Sequence, residues 1–342
     1  MYNKDIINRI VLLAGLVLLF SCSKKDLPAI IENEDIEAEL TMVPEGFESI
    51  AYPEDNPFTL SKWELGKKLF YDPVLSVDFS ISCASCHKPE LAFSDDQATT
   101  NGIENRQGTR NSPSLSNVAY NPYYTREGGV PTLEMQILIP IQEHNEFGFN
   151  IVEACERLNE IKEYVEMTED AFGTEMTPFA LTRALATFER TLISGNSPYD
   201  LHNRGDASLS PSALKGMTLF NSSKTNCSSC HSGFNFTDYS FKNNGYESGD
   251  IGRMRFTGDS VDYSVFKVPS LRNIGLTGPY MHDGSFSTLR EVIDQYNSGG
   301  SSNFNDPLIQ PLNLNEQEIN DLISFLTSLT DQDFISNKNF QE

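Results

Sequence analysis

Cys83-Ala-Ser-Cys86-His87 and Cys227-Ser-Ser-Cys230-His231 are the stretches of this 342-residue chain with the most specific chemistry. Cys-x-x-Cys-His is the attachment signature of a c-type haem. Two thiols add to the porphyrin vinyl groups as thioethers, and the adjacent histidine becomes the proximal iron ligand. Two intervening residues let both sulfurs reach one ring edge. At this cysteine and histidine content about 0.01 or fewer such pentads arise per chain by chance. Tandem zinc half-sites are the alternative, but they leave both trailing histidines unexplained. The reading is two covalently bound haem c groups, held by Cys83 and Cys86 with His87, and by Cys227 and Cys230 with His231.

What each haem does depends on its sixth ligand. Electron transfer requires both axial positions filled, whereas peroxide chemistry requires an open position with a base beside it. Three further histidines, His144, His202 and His282, are available. Between the motifs lie Gly108-Thr109-Arg110-Asn111-Ser112-Pro113-Ser114-Leu115-Ser116-Asn117, then Glu134-Met135-Gln136, then Pro140-Ile141-Gln142-Glu143-His144-Asn145-Glu146. After the second motif come Val268-Pro269-Ser270-Leu271-Arg272-Asn273, Thr277-Gly278-Pro279-Tyr280-Met281-His282-Asp283-Gly284 and Tyr296-Asn297-Ser298-Gly299-Gly300.

From about Leu60 to Leu329 these blocks resemble the bacterial di-haem cytochrome c peroxidase family, which includes MauG-type enzymes. The resemblance implies that the N-terminal haem reduces hydrogen peroxide. The C-terminal haem would relay electrons from a small cytochrome c or a cupredoxin. It implies that Glu146 is the acid/base carboxylate of the peroxide pocket and Gln136 its companion. His282 would line the C-terminal haem pocket, and Asn111, Thr277 and Pro279 would match an inter-domain calcium site, where hard oxygen ligands suit the ion.

Three departures accompany the resemblance. Where family peroxidases often place a histidine that closes the N-terminal haem, this chain has Ile103. Where the C-terminal haem usually takes a methionine, it has Tyr296, as in MauG-type members, with Met281 a rival ligand. Where the family commonly has a tryptophan between the haems, it has Arg126. His144 precedes Glu146 by two residues, and its role stays open.

An internal repeat indicates what positions these groups. Leu60-Ser61, Gly66, Leu69-Phe70, the first motif, Phe93 and Asp95 recur as Leu209-Ser210, Gly216, Leu219-Phe220, the second motif, Phe236 and Asp238. Each half opens with a helix capped near Ser61 or Ser210, with Pro211 at the favoured first helical position. Each closes with another: from Thr177-Pro178 with Leu181, Ala184, Leu185, Phe188 and Leu192 on one stripe, and from Asn315 with Glu318 completing a capping box. Strand-type alternation is sparse. The fold class is mainly α, with two tandem cytochrome c-like domains. The expected divisions are a signal peptide at 1–21, a tether at 22–55, and haem domains at 56–200 and 201–342, with Asn196 to Pro211 as linker.

Lys4 and Arg9 precede an apolar run from Ile10 to Phe20, which suits a signal-peptide core and is too short to span a bilayer. Leu19-Phe20-Ser21-Cys22 resembles a lipoprotein box. Cys22 would then carry lipid in the periplasm; an ordinary secretory signal is the alternative. With four cysteines assigned to haem, Cys155 remains as a buried free thiol. Removing residues 1–21 moves the formal charge from −23 to −24. Such acidity disfavours nucleic acid and anionic lipid as partners and favours steering of a basic electron carrier. A homodimer is left open. The reading is a peroxide-reducing di-haem peroxidase; a MauG-like oxidase acting on a partner protein and a non-enzymatic electron-transfer module are the alternatives.

Overall fold

In each half an opening helix packs across a closing helix, and the repeat predicted from sequence is the skeleton of the fold. The opening helices are Leu60–Tyr71 and Pro211–Phe220. The closing helices are Pro178–Arg190 and Glu316–Thr327. The cap of the first lies two residues before the expected Ser61: the Thr59 side chain accepts from the Lys62 amide at 3.3 Å. The other caps stand as expected on Ser210, Thr177 and Asn315, the last with Glu318 in a capping box. Repeated glycines allow the crossings. A Cβ at Gly66 would lie 2.0 Å from the Ala184 carbonyl oxygen, and one at Gly216 would lie 1.9 Å from that of Asp321. The cores also repeat: Phe70, Phe93 and Phe188 in the first half answer to Phe220, Phe236 and Phe325 in the second.

The computed structural model describes residues 35–300 and 305–342. The expected signal peptide, lipoprotein box and Cys22 lie outside them. Of the described residues, 35–41, with a helix over 35–40, belong to one unit and those from 42 onward to a second. The only named strands among the described residues are Phe241–Lys242 and Phe266–Lys267, paired antiparallel. No described helix is long and apolar enough to cross a membrane.

Two stretches read as loose connectors are packed. Phe47, assigned to the tether, packs against Phe234 with tilted rings and centroids 4.5 Å apart. Residues 198–204 of the expected linker form the helix Pro198–Arg204, so a boundary at 200 cuts an element. This helix has a Ser197/Asp200 capping box, and Asp200 pairs with Arg272 at 2.5 Å, both buried. Composition and missing periodicity do not register such anchors, because one aromatic ring or one ion pair fixes a short segment.

A second repeat locks the ends of the closing helices. Pro113-Ser-Leu-Ser-Asn117 recurs as Pro269-Ser-Leu-Arg-Asn273. Asn117 donates its backbone N–H to Leu192 O (2.8 Å), and its Oδ1 accepts from Ser194 N (2.8 Å). Asn273 does the same with Leu329 O (3.0 Å) and Asp331 N (2.8 Å). Cross-links then join the halves: Asn117 Nδ2 donates to Asn235 Oδ1 at 3.1 Å, and Asn273 Nδ2 to Ser116 Oγ at 3.1 Å. Each buried amide is satisfied, as a rigid junction requires.

Candidate functional site

Both Cys-x-x-Cys-His motifs line one cavity of about 850 Å³. Cys83, Cys86, Cys227 and Cys230 are all free of disulfides. His87 Nδ1 lies 2.9 Å from the Phe93 carbonyl oxygen, and His231 Nδ1 lies 3.1 Å from that of Phe236. Phe93 and Phe236 both adopt left-handed backbone, φ +57° and +50°. A carbonyl on Nδ1 fixes the tautomer with the proton there and leaves Nε2 as the free lone pair. Burial lowers the pKa of both rings, which keeps them neutral, the ligating form. Four unpaired thiols, two oriented imidazoles and a large cavity fit two haem c groups.

Glu146 and Gln136 line this cavity beside the first motif, with Ile137, Pro140 and Ile141 around them. Glu146 is open to the cavity yet set within the fold. Burial, and secondly the charge of Glu143, push its carboxyl up to about 7. Gln136 Oε1 is buried without a hydrogen-bond partner, an orphaned acceptor awaiting a donor. The helix Leu133–Gln136 is capped by Thr132 and anchored by Glu134, whose carboxylate receives Arg190 Nη1 at 2.8 Å and Asn56 Nδ2 at 3.0 Å. The Glu146 loop is pinned from the other side: Ile103 N–H donates to Glu146 O at 3.0 Å. Gly102 permits this approach, since a Cβ there would lie 2.6 Å from Glu146 O.

In the second half, Tyr296 and Met281 both line the cavity. Asn244 Nδ2 donates to Tyr296 Oη at 3.4 Å and to Met281 Sδ at 3.5 Å, so the two rival ligands flank one amide. Burial raises the Tyr296 phenol. His282 lines the cavity as well, stacked on Phe266 at 4.2 Å with Nε2 2.6 Å from Ser248 Oγ.

Residues 60–208 match the family described as di-haem cytochrome c peroxidase, and residues 213–330 match cytochrome c. The methylamine utilization protein MauG of Methylorubrum extorquens is 39% identical over 292 residues, covering 82% of each chain. The cytochrome-c peroxidase IdrP1 of Pseudomonas sp. (strain SCT) is 32% identical, covering 96% of this chain and 94% of its own. A solved MauG-like protein associated with microbial copper homeostasis superposes with a TM-score of 0.83 at 32% identity, covering 87% of this chain and 97% of its own. The chain belongs to the di-haem cytochrome c peroxidase family. It is an oxidoreductase with two tandem cytochrome c-type domains, which together imply two haem c groups.

Within this family frame, several residues acquire specific places. Ile103, read from the resemblance as standing where other members often place a histidine, is a buried residue whose methyl packs over Gly148 and whose amide holds Glu146. His144 does not line the cavity: it is exposed, with Arg106 Nη1 3.1 Å from its Nδ1. His202 lies on the helix Pro198–Arg204, away from the cavity. Cys155 is buried and free, as expected. Glu189 was not singled out in the sequence. It is a buried carboxyl lining the cavity near Cys83, pushed up to about 8 by burial. The only signal for it was a glutamate on the apolar stripe of the closing helix, next to Phe188.

Proposed function

We propose that the protein reduces hydrogen peroxide to water at the N-terminal haem, with two electrons from a small cytochrome c or cupredoxin entering at the C-terminal haem. The net reaction consumes one peroxide, two electrons and two protons and releases two waters. The observation that carries this reading is Glu146, a carboxyl open to the cavity with its pKa near 7, beside the unpartnered Gln136 Oε1. The haems, when bound, supply the redox equivalents and the iron on which peroxide is reduced.

The protein's own residues do the rest. At pH 7 Glu146 is divided between its two forms, so it can take a proton from the proximal oxygen of peroxide and return it to the departing oxygen. Gln136 supplies an oriented acceptor that holds a peroxide O–H in place. Ile137 and Ile141 keep the pocket wall apolar, which strengthens both polar contacts. His87 and His231 would hold the two irons, with Tyr296 as the proposed further ligand of the second. The bound iron would have to draw the proton from this buried phenol, and the resulting oxygen ligand would favour the ferric state relative to a thioether.

Export belongs to the same proposal: a lipoprotein box ending at Cys22 would anchor the enzyme at a periplasmic membrane surface. The acidic surface suits a basic carrier.

A second reading has one observation in its favour: Tyr296, with MauG among the relatives, points to oxidation of a partner protein's aromatic residues. Steady-state turnover of peroxide with reduced cytochrome c separates the two. Rapid consumption of carrier electrons, lost in Glu146→Gln, is expected for peroxide reduction. No consumption of carrier electrons moves the assignment to the partner-protein oxidase.

A further inference from the structure

Asn111, Thr277 and Pro279 all line the cavity, but the oxygens of Asn111 do not fit a calcium ion, because a guanidinium already holds them. Arg126 Nη2 donates to the Asn111 backbone oxygen at 2.7 Å and to its Oδ1 at 3.2 Å. The remaining groups of Asn111 are engaged too: Nδ2 donates to Gln97 O at 3.0 Å, and N–H donates to His282 O at 2.9 Å. Calcium bonds its oxygens at about 2.3–2.6 Å, so an ion on these two oxygens would collide with the same nitrogen.

The surrounding charges lead to the same result. Arg110, Arg126 and Lys267 are the cations here, facing Glu127, Asp250 and Asp283. Arg110 takes both nearby acids, pairing with Glu127 and with Asp250 at 2.8 and 3.0 Å. Asp283 accepts from Tyr246 Oη at 3.0 Å and from Ser285 N at 3.1 Å. Three positive groups thus meet three negative ones, so these side chains present no net negative charge to a divalent ion.

Arg126 also joins the halves. Its carbonyl accepts from Lys267 N at 2.8 Å, while its guanidinium steadies Asn111, whose amide reaches His282. The geometry points to the Arg126 guanidinium, in place of a divalent cation, as the brace that holds the Asn111 oxygens and the Asn111–His282 link between the two haem-bearing halves. The protein is therefore calcium-independent, whichever substrate it turns over.

The test uses the holoprotein. Calcium content is measured by elemental analysis after desalting, and thermal unfolding is followed in EGTA and in millimolar calcium, for wild type, Asn111→Ala, Arg126→Gln and Arg126→Lys. Wild type should retain no stoichiometric calcium and melt at one temperature in both buffers. Calcium held equally by wild type and Asn111→Ala belongs to the acidic surface and agrees with the proposal. Arg126→Gln should melt about 3–10 °C lower, and Arg126→Lys should recover part of the loss. One calcium per wild-type chain that Asn111→Ala removes would overturn the proposal. So would an Arg126→Gln protein that melts at the wild-type temperature. The calcium contents of wild type and Asn111→Ala together decide the matter even where Arg126→Gln does not assemble.

Discussion

Glu146→Gln tests whether the carboxyl in the N-terminal pocket moves the proton. Glutamine keeps the size and the cavity-facing position but cannot exchange a proton, so peroxide turnover should fall by about 10²-fold or more with haem content unchanged. The pH profile gives a second handle. With the carboxyl raised to about 7 by burial and then by Glu143, roughly a tenth of the base form is present at pH 6 and roughly nine tenths at pH 8. Wild-type kcat/KM should therefore climb about tenfold per unit below pH 7 and level off above it. Glu146→Gln should be low and flat over the same range. Glu143→Gln removes the secondary cause and should move the inflection to lower pH. The linkage has a definite sign: a carboxyl whose pKa is higher folded than unfolded binds more protons when folded. Its contribution to stability therefore falls as pH rises from the ordinary glutamate value through 7. Glu146→Gln should lack that loss. Steady-state assays with reduced cytochrome c from pH 5.5 to 8.5 read the profile, and urea unfolding reads the stability. A mutant near the wild-type rate, or a wild-type profile flat across pH 7, would refute the role; Glu189 would then be the group to replace.

Glu134→Ala should destabilise the protein by about 3–5 kcal/mol, because it leaves Arg190 buried without its partner; urea unfolding checks this, and a loss below ~1 kcal/mol would contradict it. Gly216→Ala should cost about 1–3 kcal/mol or more, since the new Cβ meets the Asp321 carbonyl at the helix crossing; equal stability would show that the helices separate easily. Ferric protein as isolated should show one high-spin haem and react with peroxide without prior reduction, because Ile103 is aliphatic and His144 lies outside the cavity. Low-spin signals from both haems in electron paramagnetic resonance would mean that another residue fills the site. Tyr296→Phe should alter the low-spin signal of the C-terminal haem while Met281→Leu preserves it; the reverse pattern would make Met281 the ligand.

The attachment residues were legible in sequence because thioether chemistry demands a fixed local spacing, and the helices because their caps and stripes are local as well. The repeat of Phe93 as Phe236 was visible, but not its purpose, since only the folded turn shows that the two carbonyls aim at the histidine rings. The Glu146 pocket was legible only through the family resemblance. Its support comes from Gly102, Ile103 and Glu134, all distant in sequence from one another or from the base, so no periodicity reports it. Asn111 was read as an oxygen ligand through the resemblance alone; that Arg126, 15 positions later, donates to both of its oxygens is a contact no local pattern reports. His144 is the converse case. Its nearness to Glu146 in sequence suggested the pocket, but the turn at 143–146 sends it outward to Arg106.

The two halves share everything on the proximal side: crossing glycine, phenylalanine cluster, motif, oriented histidine and the asparagine that fixes the closing helix. They differ on the other side. The first half inserts the short helices Leu133–Gln136 and Leu138–Gln142 and the Glu146 turn, which bring an acid, an amide and an apolar wall to the cavity. The second brings Tyr296, Met281 and His282, groups able to ligate or stack but without a carboxyl of raised pKa. A shared scaffold with unlike distal walls is what a division between peroxide reduction and electron entry requires, because each iron's chemistry is set by what faces its sixth position. The asymmetry has a direct consequence for variants. His231→Ala should abolish turnover with a carrier yet leave single-turnover peroxide reactivity at the first haem, whereas His87→Ala should abolish both. Equal peroxide reactivity at both haems would mean that the distal walls do not set the division.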